Sequence, residues 1–195
     1  RVQELSCEYF DGKKPDRRPL GEEFVTTARR NWRRPAIADT TGKHLTYGRT
    51  LVAAVALAER LKEAVPDDRP NAMVGILLPQ SVGAALTNLA VTLRGQVPVN
   101  LNYTASAGAL QSAMDQAGIR TLITSRKFME KFPDTPTPDR VLYAEDLATG
   151  FGKAAKLWAL LKARLAPASL LVNERHWDPD DPLTCIASEF TENGG

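Results

Sequence analysis

The middle of the chain alternates between short apolar runs and longer amphipathic stretches. The uninterrupted run MVGILL comes first, and VPVNL, IRTLITS and RVLYAED follow it. Unbroken apolar runs of this length are typical of strands that are covered on both faces of a sheet. Between the runs, Ser81, Ser106 and Ser125 each precede a stretch with helical spacing and can cap its first turn. Gly95 and Gly118 then end the first two of these helices.

This rhythm of strands and helices predicts an α/β fold. The connections are short, so the crossovers should be right-handed, the sheet mostly parallel and the helices distributed over both faces. We expect four regions: a linker or arm over residues 1–20, the α/β unit over 21–146, a basic amphipathic helix and its connection over 147–182, and the start of a further strand over 183–195.

Two helices and a hairpin are predicted before the sheet. Residues 21–32 place several apolar side chains near one side of a short helix. The β-runs PAIAD and HLTY flank the Gly-containing segment 40–43, which indicates a hairpin. Thr46 can cap a long helix from Tyr47 to about Val65. The apolar face of that helix contains Leu51, Val55, Ala58, Leu61 and Val65.

A basic amphipathic helix is predicted after the sheet, over FGKAAKLWALLKARL, Phe151 to Leu165, which has no acidic residue. Its apolar side contains Leu157, Trp158, Leu161 and Leu165. Apolar residues beside Lys and Arg suit an anionic membrane surface, so these four are candidate membrane-facing residues. Packing of the same side on the helix's own domain explains the pattern equally well.

Composition excludes several classes of protein. The 195 residues are 43% hydrophobic and 25% charged, and the net charge is +2. These values are typical of a soluble globular protein, and the charge gives no argument for a nucleic-acid partner. Cys7 and Cys185 are too far apart in sequence to form a CxxC motif, so we expect no zinc site or disulfide framework. The apolar runs are too short to span a bilayer.

Common motifs for cofactors and catalysis are absent from the sequence. Neither GxGxxG nor GxxxxGK[ST] occurs, which argues against a Rossmann dinucleotide site and a Walker A loop. His44 and His176 are the only histidines, and the acidic residues near His176 read as a solvated loop, so we predict no metal site. The arginine-rich segment 29–34 reads as a solvated helix end rather than a phosphate site.

The strand ends remain as candidate sites, because open parallel sheets bind ligands beside the carboxyl ends of their strands. Gln80 and Ser81 follow the run MVGILL, and Asn102, Tyr103 and Thr104 follow VPVNL. These five residues are our candidates for lining a substrate site or channel. Capping by Ser81 and turn formation by the asparagine are the alternative interpretation.

Taken in order, these segments resemble the N-terminal part of the adenylate-forming acyl ligases. The resemblance rests on HLTYGRTLVAAVALAERL, MVGILLPQS and LRGQVPVNLNYTAS, and it extends over about residues 20–190. VPVNLNYT followed by AGIRTLITSRKFMEKF is most similar to the acyl-[acyl-carrier-protein] synthetase/2-acylglycerophosphoethanolamine acyltransferase branch. The resemblance also favours structural roles for three residues: Asn100 and Asn102 would shape the turn, and Ser106 would cap the helix.

The resemblance implies an ATP-dependent reaction. Such ligases join a fatty acid to ATP as an acyl-adenylate, with Mg²⁺ neutralising phosphate charge, and then transfer the acyl group to the thiol of an acyl carrier protein or CoA. It further implies a C-terminal part of the ligase, an upstream acyltransferase domain, a link to phospholipid acylation and a cytoplasmic location, with membrane association of the full-length protein as an option.

The end of the chain departs from the family pattern. After LTCIAS the family has a loop similar to TSGSTGxPKG, whereas residues 189–195 read EFTENGG and contain no lysine. We therefore assign no catalytic residue, expect no cofactor in this fragment, and expect the fragment to be inactive alone. A non-enzymatic binding or membrane-docking module on the same scaffold is the alternative.

Overall fold

The computed structural model describes residues 19–65, 71–149, 152–172 and 184–186. The predicted arm up to residue 18, the connection around His176 and the final residues 187–195 lie outside the described residues. Within the described ranges the helices are α1 (Leu20–Arg30), α2 (Tyr47–Ala64), α3 (Val82–Leu93), α4 (Ala107–Gln116), α5 (Arg126–Lys131), α6 (Ala144–Ala148), α7 (Lys153–Leu165) and α8 (Ala168–Leu171). The strands are β1 (Pro35–Ala38), β2 (His44–Thr46), β3 (Met73–Ile76), β4 (Val97–Asn100), β5 (Thr121–Thr124), β6 (Arg140–Tyr143) and β7 (Cys185–Ile186).

Five strands form a parallel sheet in the order β6-β5-β3-β4-β7. β5 is buried along its whole length and β3 along nearly all of it, as the unbroken apolar runs predict. β1 and β2 pair with each other in antiparallel orientation. The parallel sheet and the separate hairpin are therefore both confirmed.

Alternate side chains of the sheet enter two separate cores. Val74, Ile76 and Ile123 pack in one core with buried residues of α2 and α3. Val99 and Leu122 pack in the other with buried residues of α4 and α5. Side chains of a strand alternate between its faces, so this division shows that helices cover both faces of the sheet.

Side-chain caps set the starts of the helices as predicted. A hydroxyl oxygen accepts a hydrogen bond from the backbone amide three residues later, at 3.2 to 3.4 Å, in each of four helices. The capping residues are Thr46, Ser81, Ser106 and Ser125. Gly95 and Gly118 follow α3 and α4 with φ of 68° and 59°, a conformation that glycine adopts without steric strain.

The run RVLYAED is a strand only over its first half. β6 ends at Tyr143, and α6 begins at Ala144, so the predicted strand is too long. Glu145 and Asp146 lie in the first turn of α6, where carboxylates interact favourably with the helix dipole. Leu147 is buried in the core beneath α2 and anchors the turn. The acidic pair therefore marks a change from strand to helix.

Helix α7 packs on the domain through its small residues. Ala159 and Ala163 are buried in a core shared with α1 and α2, whereas Leu157, Trp158, Leu161 and Leu165 are exposed. The interpretation that this apolar side packs on its own domain is therefore wrong, although the helix itself does pack there. Alanine allows the close approach of two helix backbones, so the smaller side of α7 forms the contact. The short helix α8 that follows was not predicted.

Candidate functional site

The order of the strands opens a crevice at the carboxyl edge of the sheet. From β3 the chain crosses through α3 to β4, whereas from β5 it crosses through α5 to β6 on the opposite side. β3 and β5 are neighbours in the sheet. Neighbouring strands whose connections leave in opposite directions form the switch point at which open α/β sheets bind ligands.

A pocket of about 890 Å³ lies at this edge of the sheet. Its walls come from the loops that follow β3 and β4, from α4, and from α5 with the loop after it. Leu110 and Phe128 are buried and line its apolar part, while Lys127 and Lys131 are exposed at its rim. An apolar pocket with a few polar groups is typical of small-molecule sites.

Two of the five predicted site residues, Tyr103 and Thr104, line this pocket. The Asn102 carboxamide oxygen accepts hydrogen bonds from the Thr104 amide at 3.0 Å and the Thr104 hydroxyl at 2.7 Å, which closes the turn. Asn100 exchanges two amide hydrogen bonds with Asn88 of α3, at 2.9 and 3.0 Å. The asparagines therefore have the structural role expected of them. The Tyr103 side chain is exposed beside the pocket.

The other two predicted residues, Gln80 and Ser81, lie at the start of α3. The Ser81 hydroxyl accepts from the Ala84 amide at 3.2 Å, so it caps the helix. The Val82 amide donates to the Asp39 carboxylate at 3.0 Å. Hydrogen bonds from the Thr41 hydroxyl first, and then from the Val82 amide, lower the pKa of Asp39 to about 2. A ligand at this helix end would compete with an internal carboxylate, and ligand contact by Gln80 stays a prediction.

Helix α5 supplies pocket residues that the sequence analysis missed. In RKFMEKF, the two lysines and the two phenylalanines are each four residues apart, which places each pair on one side of a helix. The rings of Phe128 and Phe132 have centroids 4.9 Å apart, and the Lys131 ammonium lies 5.4 Å from the Phe132 ring centroid. This double spacing directly after a strand was the signal that could have identified the site.

Contacts from α6 fix the start of α5. Arg126 donates two hydrogen bonds to the Asp146 carboxylate, at 2.6 and 2.8 Å, and its backbone amide donates to the Glu145 carboxylate at 3.1 Å. The hydrogen bonds from Arg126 lower the pKa of Asp146 below its ordinary value. The pair is exposed and contributes little stability, but its two-pronged geometry orients the helix that carries Lys127 and Lys131.

The described ranges contain no group of three or more His, Cys, Asp or Glu residues that could hold a metal ion. His44 is exposed, and its Nδ1 lies 3.4 Å from the Gly42 carbonyl oxygen. No residue is assigned here as a ligand of Mg²⁺.

Two further concavities border α7. A groove of about 830 Å³ lies between α2, α7 and the hairpin, and its lining is mostly apolar. A second depression, of about 890 Å³, lies between residues 29–34 and α7. The arginine cluster was predicted to be solvated, and Arg30, Arg33 and Arg34 are exposed, whereas Arg29 is only partly exposed. Its guanidinium donates to the backbone carbonyls of Ala163, at 2.8 Å, and of Ala166 and Lys162 at the end of α7.

Comparison with known proteins gives a consistent result. A family described as "AMP-binding enzyme" matches residues 24–186, which is most of the chain. Among solved structures, the N-terminal subdomain of NpsA from Klebsiella oxytoca, in complex with 3-hydroxybenzoyl-AMSN, is similar with a TM-score of 0.58 and 22% identity. That match covers 66% of this chain and 31% of the NpsA chain.

Two other solved structures have the same fold. The O-succinylbenzoate coenzyme A synthetase MenE from Bacillus subtilis, in complex with ATP and magnesium, matches with a TM-score of 0.54 and 19% identity, over 65% of this chain and 34% of its own. The nonribosomal peptide synthetase FmoA3 matches with a TM-score of 0.61 and 22% identity, over 71% of this chain and 15% of its own. The chain thus spans about a third or less of these proteins.

Proposed function

Because the chain belongs to the AMP-binding enzyme family, we propose that it is the N-terminal part of an AMP-forming ligase that activates a fatty acid. The observation that carries the choice of substrate is the pocket at the carboxyl edge of the sheet. Its apolar part, with Leu110 and Phe128, suits an acyl chain, and the ammonium groups of Lys127 and Lys131 suit a carboxylate.

The proposed reaction has two steps. A carboxylate oxygen of the fatty acid attacks the α-phosphorus of ATP, the bond to the bridging oxygen breaks, and pyrophosphate leaves with that electron pair. The thiolate of an acyl carrier protein or CoA then attacks the acyl carbon, and AMP leaves. Mg²⁺ bound with ATP would neutralise charge on the phosphates. The described residues contribute the scaffold and the acid-binding pocket, and no catalytic residue is assigned among them.

The proposal includes further parts of the protein. The matched structures are several times longer than this match, so we propose that activity needs a C-terminal part of the ligase. One similar solved structure is an artificial fusion of NpsA with the carrier protein ThdA, which is in line with a carrier-protein acceptor. We further propose an upstream acyltransferase domain, a link to phospholipid acylation and action in the cytoplasm.

Fatty-acid-dependent ATP–pyrophosphate exchange tests the proposal. The full-length product of the gene should exchange with fatty acids, whereas residues 1–195 alone should not. Substitution of both rim lysines, Lys127→Gln with Lys131→Gln, should raise the KM for the fatty acid and leave the melting temperature unchanged. Lys62→Gln is the matched control, because Lys62 is an exposed lysine on α2, on the other face of the sheet.

The alternatives predict different outcomes of the same assay. Exchange with aryl or amino acids but not with fatty acids would overturn the proposed substrate and leave the family reaction in place. If the full-length protein is folded but catalyses no ATP–pyrophosphate exchange with any acid, the non-enzymatic module is favoured. An unchanged KM for the fatty acid in the lysine double variant would show that this pocket does not bind the acid.

A further inference from the structure

Helix α7 presents a row of large apolar side chains to solvent. Leu157, Leu161 and Leu165 are four residues apart, so they form one row along the helix. Leu157 is 57% exposed and Leu165 is 74% exposed, and the neighbouring Trp158 is 59% exposed. Large apolar side chains clustered in this way on a surface mark an interaction site more often than isolated ones do.

The orientation of this row is fixed by contacts on the opposite side of α7. Ala159 and Ala163 are buried against α1 and α2, and the Lys162 ammonium lies 2.7 Å from the Glu59 carboxylate of α2. Arg29 clamps the C-terminal carbonyls of the helix. The helix therefore cannot turn its leucines inward without breaking contacts to two other helices.

An arginine-rich depression lies directly beside the row. Its lining includes Arg30, Arg33, Arg34 and Arg164 together with Leu161 and Leu165, and no carboxylate belongs to it among the residues that the structure describes. In the described part of the chain, no ion pair involves any of these four arginines. The Arg164 guanidinium lies over the Trp32 ring, 4.8 Å from its centroid, which holds one of these cations at the edge of the leucine row.

The like charges in this depression are close enough to affect each other. Burial first, and then the nearby Arg164, lower the pKa of Arg29 below its ordinary value. An anion placed among these guanidinium groups would relieve that repulsion. Arginine binds phosphate with two parallel N–H donors, so phosphate groups are the best match in geometry and charge.

We propose that the surface formed by the leucine row, Trp158 and the four arginines docks on an anionic lipid bilayer. The leucines and the indole enter the boundary between headgroups and acyl chains, and the arginines bind lipid phosphates. No described helix is long and apolar enough to cross a membrane. In this proposal α7 lies along the surface of the bilayer. An acidic protein domain would also meet the arginines, but it would need its own apolar groove for the leucine row.

Vesicle co-sedimentation of the full-length product of the gene tests this proposal. The vesicles are phosphatidylcholine alone or an equimolar mixture with phosphatidylglycerol. We expect binding to the mixed vesicles only, weakened by added salt because the attraction is electrostatic. Trp158 should report insertion through a blue shift of its fluorescence, which Trp158→Phe should abolish.

Two pairs of substitutions separate the contributions. Arg33→Gln with Arg34→Gln should weaken binding by roughly tenfold or more, since each basic residue near an anionic leaflet contributes about 1 kcal/mol, or a factor of about five. Leu161→Gln with Leu165→Gln should also weaken it by roughly tenfold. Arg120→Gln and Leu20→Gln are the matched controls, because both residues are exposed and neither lines the arginine depression.

Each other outcome overturns the proposal. Absence of vesicle binding by the folded full-length protein would mean that another part of the protein covers the surface. Equal binding to both vesicle types would show that the arginines do not recognise lipid phosphates. Equal losses of vesicle binding in the control variants would show the same. Binding to soluble glycerophosphate without binding to vesicles would make the depression a small-anion site. Binding only to an acidic carrier protein, lost in the arginine variants, would assign the surface to a protein partner.

Discussion

Helices α2 and α7 both carry leucines at helical spacing but use them in opposite ways. In α2, Leu51 and Leu61 are almost completely buried. In α7, Leu157 and Leu161 are exposed, and Ala163 is completely buried instead. The comparison teaches that apolar periodicity identifies a helix but does not always identify the side that faces the core. Where small residues share a helix with leucines, the partner helix can select the side that allows the closer approach.

The largest effect is expected from Leu61→Ala in α2. Leu61 packs with Val74 and Ile123 of the sheet, so its truncation leaves a cavity in the core. The free energy of unfolding should fall by about 2–5 kcal/mol, as measured by chemical denaturation. A loss as small as that of a surface substitution would mean that α2 is not docked as described.

A smaller effect is expected from Ala163→Leu in α7. The added side chain has no room between α7 and α2, so overpacking should destabilise the protein by about 1–3 kcal/mol. Ala154→Leu is the matched control, because Ala154 is an exposed alanine of the same helix. Denaturation curves of the two variants should differ clearly. Identical curves would contradict the packing of α7 through its small side.

Arg29→Gln should have the next largest effect. The substitution removes charge-assisted hydrogen bonds to the carbonyls of Ala163 and Ala166 at the C-terminal end of α7, where helix carbonyls lack the amides of a following turn. We expect a loss of about 1.5 kcal/mol in the free energy of unfolding. Arg30→Gln serves as the control, since Arg30 is exposed. Equal stability of the two variants would show that the clamp does not hold α7.

The central α/β unit could be predicted from sequence because its signals are local. The apolar run at β3, the hydroxyls of Ser81 and Ser106, and Gly95 each act within a few residues, and each has the predicted role. The side of α7 that packs could not be predicted, since it depends on Arg29, which is distant in sequence.

The candidate site was predicted only in part for a similar reason. Tyr103 and Thr104 follow a strand directly, so the rule for strand ends found them. Lys127 and Lys131 come from a short helix that reaches the same pocket from β5. The order of the strands in the sheet brings these segments together. That order cannot be predicted from the residues of any single segment.

Leu161→Ala should have the smallest effect on stability, and it tests the comparison between α2 and α7 most directly. The substitution is chemically identical to Leu61→Ala, but Leu161 is exposed and its loss leaves no cavity. Alanine also favours the helix at least as well as leucine. The free energy of unfolding should change by less than about 0.5 kcal/mol, while binding to anionic vesicles weakens. A large loss of stability would show that the leucine row is covered within the protein itself, because only a packed side chain creates a cavity when it is truncated.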